Sequence, residues 1–247
     1  MGELEMKKML SKIIETIRSI FKPYPNININ VNYDDYWISK RGDRLGYLSD
    51  FQKERANIIL NYMTDGNSVK DIGCGDGAIL KYLSKHLKFS EIYGIDISDR
   101  ILSHIKEIGY VPVKLNINNL NEIKNLPKTD YTITLEVLEH LQNPEEVLLG
   151  LLNTTDKKLV FSIPNTGFIG HRLRLLFGSF PLQWRTNPGE HLRFWTYDDI
   201  KWWLKELKLY NNSTIHLYEG IPLLNRIFPS LFSMGILVVI EKEKTNK

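Results

Sequence analysis

The chain has 247 residues, which is enough for one α/β domain with a well-formed hydrophobic core, or for such a domain with a small appendage. Its 32 basic and 29 acidic residues leave a formal net charge of +3, too small an excess to argue for a nucleic-acid partner. A single cysteine, Cys74, excludes a disulfide framework, and the sequence shows neither an apolar run of membrane-spanning length nor a secretory signal. We therefore expect a cytoplasmic protein without a transmembrane segment.

Apolar residues recur at helical spacing between Met6 and Phe21 and predict an amphipathic helix that ends before two closely spaced prolines. The simplest interpretation is that this helix packs on its own domain or on a second copy of the chain, as a homodimer. The alternative is attachment to a membrane surface through basic residues, although glutamates dilute that charge. The basic residues are Lys7, Lys8, Lys12, Arg18 and Lys22, and the glutamates are Glu3, Glu5 and Glu15. We expect residues 1–32 to form this helix and a linker, ahead of a main domain over residues 33–245.

After the linker, strand and helix patterns alternate, which predicts an α/β fold with a parallel sheet and helices on both faces. The predicted strands lie near residues 68–72, 92–96, 111–115, 131–135, 158–163, 213–218 and 234–240. The predicted helices lie near residues 50–64, 76–87, 98–108, 143–153 and 197–207. A ligand of such a sheet binds at the carboxyl ends of the strands, where the connecting loops gather.

The segment Val69-Lys-Asp-Ile-Gly-Cys-Gly-Asp-Gly77 predicts a strand, a tight turn and a helix start. A dinucleotide site needs the spacing G-x-G-x-x-G, whereas the glycines here alternate as G-x-G-x-G, which disfavours an NAD-linked dehydrogenase. Asp71, just before the glycines, is awkward beside a pyrophosphate and helpful beside a cationic amino acid. Asp96 ends the next predicted strand, where it can bind ribose hydroxyls or cap the following helix. The sequence therefore predicts an adenosine-containing ligand.

These motifs resemble those of class I S-adenosylmethionine-dependent methyltransferases, and the resemblance extends from about Tyr36 to Lys242. The segment from Asp130 to Leu141 resembles the fourth strand and following loop of quinone-type O-methyltransferases. Segments within residues 161–199 resemble the MetW family of methionine-biosynthesis proteins, although residues 135–140 fit the quinone-type enzymes better. The resemblance implies a Rossmann-like, seven-stranded methyltransferase sheet with S-adenosylmethionine as cofactor.

The resemblance also implies which residues bind the cofactor. They are Arg55, Asp71, Gly73, Gly75, Asp96, Asn116 and Leu135. Asn116 stands where these families often carry an adenine-binding aspartate, but its amide oxygen can still accept a hydrogen bond from the adenine amino group. Leu135 matches a cofactor-lining position and fits equally well as core at a strand end. Arg55 matches an arginine that approaches the cofactor carboxylate. The alternative, an exposed arginine on a helix with no ligand, explains the residue almost as well.

Two histidines are candidates for the general base that a hydroxyl acceptor needs. His140 and His191 lie in loops expected to follow strands or to cover the site, and a histidine is the natural base near neutral pH. Each of them can instead be a structural residue that orders its loop. Glu136 and Glu139 lie close to His140, but their spacing matches no standard zinc signature and no further cysteine or close histidine completes a set. We therefore expect no metal.

Apolar and aromatic residues between about 166 and 195 predict a cap insertion after the fifth strand, and residues 221–232 supply a second apolar segment. Such insertions usually form the lid of a small-molecule site, and their composition favours an aromatic, polyprenyl or lipid-linked acceptor; core packing or a dimer face would explain them too. Two functions remain open. One is methylation of a small molecule, on oxygen. The other is a MetW-like protein that binds S-adenosylmethionine and assists a partner enzyme in methionine biosynthesis.

Overall fold

The computed structural model describes residues 3–23, 46–181 and 191–242. The predicted linker, the predicted boundary at residue 33 and cap residues 182–190 lie outside these ranges. The strands are β1 Ser68–Ile72, β2 Glu91–Asp96, β3 Val111–Lys114, β4 Thr129–Leu135, β5 Thr155–Pro164, β6 Ser213–Tyr218 and β7 Gly235–Glu241. They form a seven-stranded sheet in the order β3-β2-β1-β4-β5-β7-β6, in which the first five strands pair in parallel and β7 is antiparallel to both neighbours. This architecture confirms the predicted Rossmann-like α/β sheet.

Strand β5 illustrates why the sheet is a buried middle layer. Leu159, Phe161 and Ile163 belong to one hydrophobic cluster, whereas Val160 belongs to the other. Successive side chains of a strand point to opposite faces, so a strand with buried apolar residues on both faces must lie between two layers. Helices therefore cover both faces of the sheet, as the sequence predicts.

The helices account for most of the remaining described residues. They are α1 Glu3–Ile20, α2 Asp50–Leu60, α3 Ala78–Ser84, α4 Asp99–Glu107, α5 Leu120–Lys124, α6 Pro144–Asn153, α7 Ile169–Leu176, α8 Tyr197–Glu206, α9 Leu224–Ile227 and α10 Pro229–Phe232. Helix α2 begins with a capping box, in which the Ser49 hydroxyl accepts from the Gln52 amide and the Gln52 side chain accepts from the Ser49 amide. The sequence prediction contains neither α5, α7, α9 nor α10, and it extends α2 and α3 too far.

Helix α1 packs on its own domain, against α7. Arg174 is buried on α7, and its guanidinium donates hydrogen bonds to the carbonyls of Ser19 and Ile20 at the end of α1. The same side chain donates to the carbonyl of Phe180 at 2.9 Å. A buried arginine whose donors reach the last carbonyls of a helix satisfies groups that have no partner within that helix. The simplest interpretation of the sequence, packing on the same chain, therefore describes one side of α1.

Across the described parts of the chain, no helix combines the length and the apolar character needed to cross a bilayer.

Candidate functional site

The glycine loop after β1 forms the first wall of the site. The amides of Gly73 and Cys74 donate to the Ile95 carbonyl at 2.8 and 3.0 Å, which holds the loop against the end of β2. Gly73 has a φ of 68°, and a Cβ there would lie 2.7 Å from a methyl group of Val137. Only glycine fits both restraints, because that φ is left-handed and the space is already filled. Gly75 also has a positive φ, of 50°.

Asp71 supplies a buried carboxylate beneath this loop. It is the fourth residue of β1, and its side chain makes no hydrogen bond to the described residues. Burial raises the pKa of Asp71 to about 8; the nearby charge of Arg55 opposes this shift, and Asp96 and Asp76 add to it. An ionised carboxylate in such a place is stable only beside a cation. The geometry therefore suits a positively charged ligand group.

Asp96, at the end of β2, is oriented by backbone amides. Its two carboxylate oxygens accept from the amides of Gly75 at 3.1 Å and Ser98 at 3.0 Å. The N-cap of α4 is Ser98, whose hydroxyl accepts from the amide of Ile101, so the alternative of Asp96 as the helix cap is wrong. Asp96 is partly exposed, so a ligand hydroxyl can reach its carboxylate.

Asn116 and Leu135 occupy less distinctive surroundings. The Asn116 amide oxygen accepts from the Asn118 amide at 3.1 Å, so part of its capacity for adenine is used in a local turn. Asn116 is exposed on the loop after β3. Leu135 is buried at the end of β4, where it packs in a hydrophobic cluster and pairs in register with Ser162. Both positions border the carboxyl edge of the sheet, and their roles towards a cofactor stay predictions.

Arg55 lies inside the domain and joins a buried polar network. Its Nη1 lies 3.3 Å from Glu136 Oε1 and donates to the Ser162 hydroxyl at 3.1 Å. The Ser162 hydroxyl donates to the same Glu136 oxygen at 2.8 Å, and the Tyr218 hydroxyl lies 3.5 Å from it. The interpretation of Arg55 as an exposed helix residue is therefore wrong. Its buried Nε has no hydrogen-bond partner among the described residues, which leaves one donor for an anion.

Glu136 is a member of this network, whereas its sequence position suggested only a carboxylate close to Glu139 and His140. It follows the last residue of β4 and has a φ of 57°, which is uncommon for a residue with a side chain. Its carboxylate is held by Arg55 and Ser162 and belongs to no metal-ligand group found among the described residues. No sequence signal marks this positive φ.

The structure brings the two candidate histidines together. His140 ends a 3-10 turn, Leu138–His140, and its ring centre lies 4.5 Å from that of His191 in an edge-to-face arrangement. The carbonyl of Glu139 accepts hydrogen bonds from the amides of Leu192 at 2.7 Å and Arg193 at 3.0 Å, which ties the two loops together. The turn that carries His140 begins directly after Val137, whose side chain fills the space beside Gly73.

Glu139 completes a cluster with the histidine pair. Its carboxylate is buried, neither oxygen has a hydrogen-bond partner among the described residues, and Oε1 lies 3.9 Å from His140 Nε2. Burial and, next, the charge of Glu136 raise the pKa of Glu139 well above its usual range. Potential ligand atoms of Glu139, His140 and His191 all lie within 4.8 Å of one another. The expectation that no close histidine completes a metal-ligand set is wrong, since His191 does so.

A cavity of about 250 Å³ lies beside the start of α3. It is lined by Gly46, Tyr47, Leu48, Lys53, Ala78, Lys81, Tyr82 and Lys85. The lining includes neither Asp71 nor Asp96, and none of Glu139, His140 and His191. We therefore define the candidate site by the converging side chains at the carboxyl edge of the sheet, where α/β folds bind their ligands.

Comparison with known proteins agrees with this geometry. Residues 71–155 match a family model described as a methyltransferase domain. The ubiquinone biosynthesis O-methyltransferase of Candida albicans is 30% identical over 64% of this chain and 51% of its own length. The small RNA 2'-O-methyltransferase of Schizosaccharomyces pombe is 28% identical over 64% of this chain and 48% of its own. This chain thus spans about half the length of these curated relatives.

Among solved structures, the Synechocystis magnesium protoporphyrin IX methyltransferase with bound SAH superposes with a TM-score of 0.53. It is 18% identical, and the match covers 94% of this chain and 95% of that one. The chain therefore carries a class I S-adenosylmethionine-dependent methyltransferase domain, and the predicted cofactor, S-adenosylmethionine, is confirmed for a domain of this class. The relatives agree with the quinone-type resemblance and do not specifically support MetW.

Proposed function

We propose that this chain transfers a methyl group from S-adenosylmethionine to a hydroxyl oxygen of a small-molecule acceptor. The observation that carries the proposal is the meeting of His140 and His191, with rings 4.5 Å apart, next to the glycine loop. Oxygen as the methylated atom is supported by the relatives in Candida albicans and Schizosaccharomyces pombe, both of which are O-methyltransferases by name.

The proposed cofactor site fits the chemistry of its ligand. S-adenosylmethionine supplies an electrophilic methyl group on a sulfonium, together with an amino-acid end that carries both an ammonium and a carboxylate. Asp71 offers the buried anion that the cationic part requires, and the unpartnered Nε of Arg55 offers a donor for the carboxylate. Gly73 and Gly75 keep the loop free of side chains, and Asp96 accepts from the ribose hydroxyls.

The histidine cluster would act on the acceptor. His140 or His191 removes the proton of the acceptor hydroxyl as the oxygen–carbon bond forms and the carbon–sulfur bond breaks. The charge of Glu139, once ionised, stabilises the imidazolium that results, because its oxygen lies 3.9 Å from His140 Nε2. The protein otherwise aligns the two reactants and excludes water, which is the larger part of catalysis when the leaving group is already activated.

A specific observation also favours a metal ion at this cluster. Glu139 is buried with both carboxylate oxygens unpartnered among the described residues, and two imidazoles offer nitrogen ligands close by. Carboxylate and imidazole ligands together suit a divalent cation. Such an ion would lower the pKa of the acceptor hydroxyl and take over the role of the base. Titration of chelator-treated protein with Mn²⁺ and Zn²⁺ by calorimetry separates the two accounts. If the cluster holds a metal ion, the protein binds the ion and His191→Ala abolishes the binding. If a histidine acts as the base without a metal, no such binding is measured.

We further propose that the acceptor is apolar or lipid-linked. The support is the position of α7, α9 and α10, which follow β5 and β6 at the carboxyl edge and expose the apolar residues Leu176, Phe177, Ile227 and Phe228. Residues 166–195 would act as its lid, within a methyltransferase domain spanning 33–245. A screen of hydroxylated aromatic and polyprenyl acceptors with labelled cofactor tests this choice.

The decisive experiment separates cofactor binding from turnover. Calorimetric titration with S-adenosylhomocysteine should give binding that Asp96→Ala weakens. His140→Ala and His191→Ala should keep that affinity and lose turnover, whereas His86→Ala, an exposed histidine bonded to the Tyr82 carbonyl, should keep both. Cofactor binding without turnover of any acceptor, together with co-purification of a homoserine acyltransferase, would instead favour the MetW-like alternative.

A further inference from the structure

Helix α1 carries an apolar stripe that its own domain does not cover. Met6, Leu10, Ile14, Ile17 and Phe21 follow one another at intervals of three or four residues, so they share one face of the helix. Their exposed fractions lie between 42% and 71%. The adjacent face, which includes Ile20, packs towards α7. The apolar arc of α1 is therefore wider than the contact it makes with the domain.

The stripe continues onto the end of α7. The rings of Phe21 and Phe177 lie 6.2 Å apart, and Leu176 beside them is 76% exposed. We call the five stripe residues together with Leu176 and Phe177 the α1–α7 face. A folded monomer seldom exposes a contiguous apolar patch of this extent unless the patch binds something.

Basic residues border the α1–α7 face. At 100° per residue, Lys7 and Arg18 lie next to the stripe on the side away from α7, and Lys22 lies just beyond them. Lys7 pairs with Glu3 in the first turn, but Arg18 and Lys22 form no ion pair with any residue that the structure describes. Exposed apolar residues flanked by lysine and arginine on one helix are the pattern of a helix that lies in a bilayer interface.

We propose that the α1–α7 face docks on an anionic lipid bilayer, with α1 lying in the plane of the interface. Its apolar stripe enters the boundary between headgroups and acyl chains, while Lys7, Arg18 and Lys22 contact the anionic headgroups. A second copy of the chain fits less well. In a two-fold contact between antiparallel stripes, the basic edges of the two helices lie on the same side of the contact. Lys7 of one copy then lies near Arg18 of the other, and the like charges repel.

The same face adjoins the carboxyl edge of the sheet, where the candidate site lies. Helix α7 follows β5 at that edge, and α1 also reaches the segment after β6, through Lys12 to Glu219 at 3.9 Å and Glu5 to Arg226 at 3.8 Å. Docking through α1 would therefore bring this edge towards the bilayer. The binding itself does not depend on the methyltransferase function proposed above, and it is measured without turnover.

Vesicle sedimentation of the full chain tests the proposal. We expect binding to vesicles of phosphatidylcholine with about one third phosphatidylglycerol, weak binding to pure phosphatidylcholine, and loss of binding at high salt. The variant Leu10→Glu/Ile14→Glu should lower the partition coefficient at least tenfold, because two carboxylates replace apolar groups in the interface. Arg18→Gln should lower it about fivefold on the anionic vesicles only, the contribution of one basic residue at such a surface.

Matched controls keep the result interpretable. Leu149→Glu introduces one such carboxylate at a 40% exposed leucine of α6, outside the face, and should bind vesicles like the unmodified chain. Far-ultraviolet circular dichroism and binding of S-adenosylhomocysteine show whether each variant is folded. The proposal is overturned if the folded protein does not bind anionic vesicles, or if Leu10→Glu/Ile14→Glu binds them with the same partition coefficient as Leu149→Glu. Sedimentation velocity tests the alternative occupant. A dimer that dissociates in Leu10→Glu/Ile14→Glu but not in Leu149→Glu would assign the face to a second copy instead.

Discussion

Asp71 gives the sharpest prediction, because its carboxyl is buried and must be ionised to hold a cationic ligand. Burial raises its pKa to about 8, so most of the ligand-free protein carries a neutral carboxyl at pH 7. A ligand with an ammonium and an adenosine should select the ionised form. Binding of S-adenosylhomocysteine is therefore expected to strengthen as the pH rises towards 8 and to release a proton at neutral pH.

The magnitude follows from linkage. Below the raised pKa, each pH unit changes the ionised fraction about tenfold, so the association constant should rise about tenfold between pH 6 and pH 7 and then level off near pH 8. The free energy of unfolding of the ligand-free protein is expected to fall as the pH rises. A carboxyl with a raised pKa in the folded state contributes stability that is complete below the unfolded pKa and is lost as the pH rises through about 8.

The variant Asp71→Asn removes both effects. It should bind S-adenosylhomocysteine with an affinity that hardly changes from pH 6 to 8, and its free form should melt at a higher temperature than the unmodified protein at pH 8. Calorimetry in two buffers of different ionisation enthalpy measures the released proton. Asp99→Asn, an exposed aspartate paired with Lys114, is the control. A pH-independent affinity in the unmodified protein, or an unchanged pH slope in Asp71→Asn, would refute the reasoning.

Three further predictions follow from single contacts. Gly73→Ala should destabilise the fold by about 2 kcal/mol more than Gly66→Ala in urea, since both have a positive φ but only the first meets another side chain at 2.7 Å. Arg174→Met should lower the free energy of unfolding by about 3 kcal/mol and expose α1 to protease, because three carbonyls lose a buried donor. Arg226→Met, which removes only an exposed ion pair, should have little effect on either measurement. Glu139→Gln should raise the metal-free free energy of unfolding at neutral pH and make it less dependent on pH, because burial raises the pKa of the Glu139 carboxyl well above its usual range, and the stability tied to that carboxyl falls once the pH exceeds the pKa of an unfolded glutamate. If the cluster holds a metal, calorimetric Mn²⁺ binding should weaken at least tenfold in the same variant.

The sheet is the part that the sequence predicts best. Predicted strand bounds near 68–72 and 213–218 coincide with β1 and β6, because strand-favouring residues bounded by turns carry a local signal. Helix α7 is not predicted, since its residues lack a fully apolar face and its position depends on Arg174 reaching the end of α1. That contact joins distant segments and leaves no periodicity in either.

The candidate site divides in the same way. Asp71 and Asp96 are marked by the glycine motif and by a strand end, both of which are local patterns. The meeting of His140 with His191 is not, because it is fixed by backbone amides of residues 192 and 193 that donate to the Glu139 carbonyl. Main-chain hydrogen bonds of this kind do not depend on side-chain identity, so no pattern of residues in the sequence predicts them.

That backbone tie also bears on how the protein can change over evolutionary time. The loop after residue 190 is anchored through the amides of Leu192 and Arg193, whose side chains take no part in the two hydrogen bonds. Substitutions at Leu192 can therefore reshape the surroundings of the histidine pair without breaking this tie, whereas the Arg193 guanidinium also donates to the Gln142 carbonyl and anchors the loop a second time. Under the proposed function, this would let the acceptor range change through single substitutions at Leu192 while the backbone tie that holds the histidine pair stays in place.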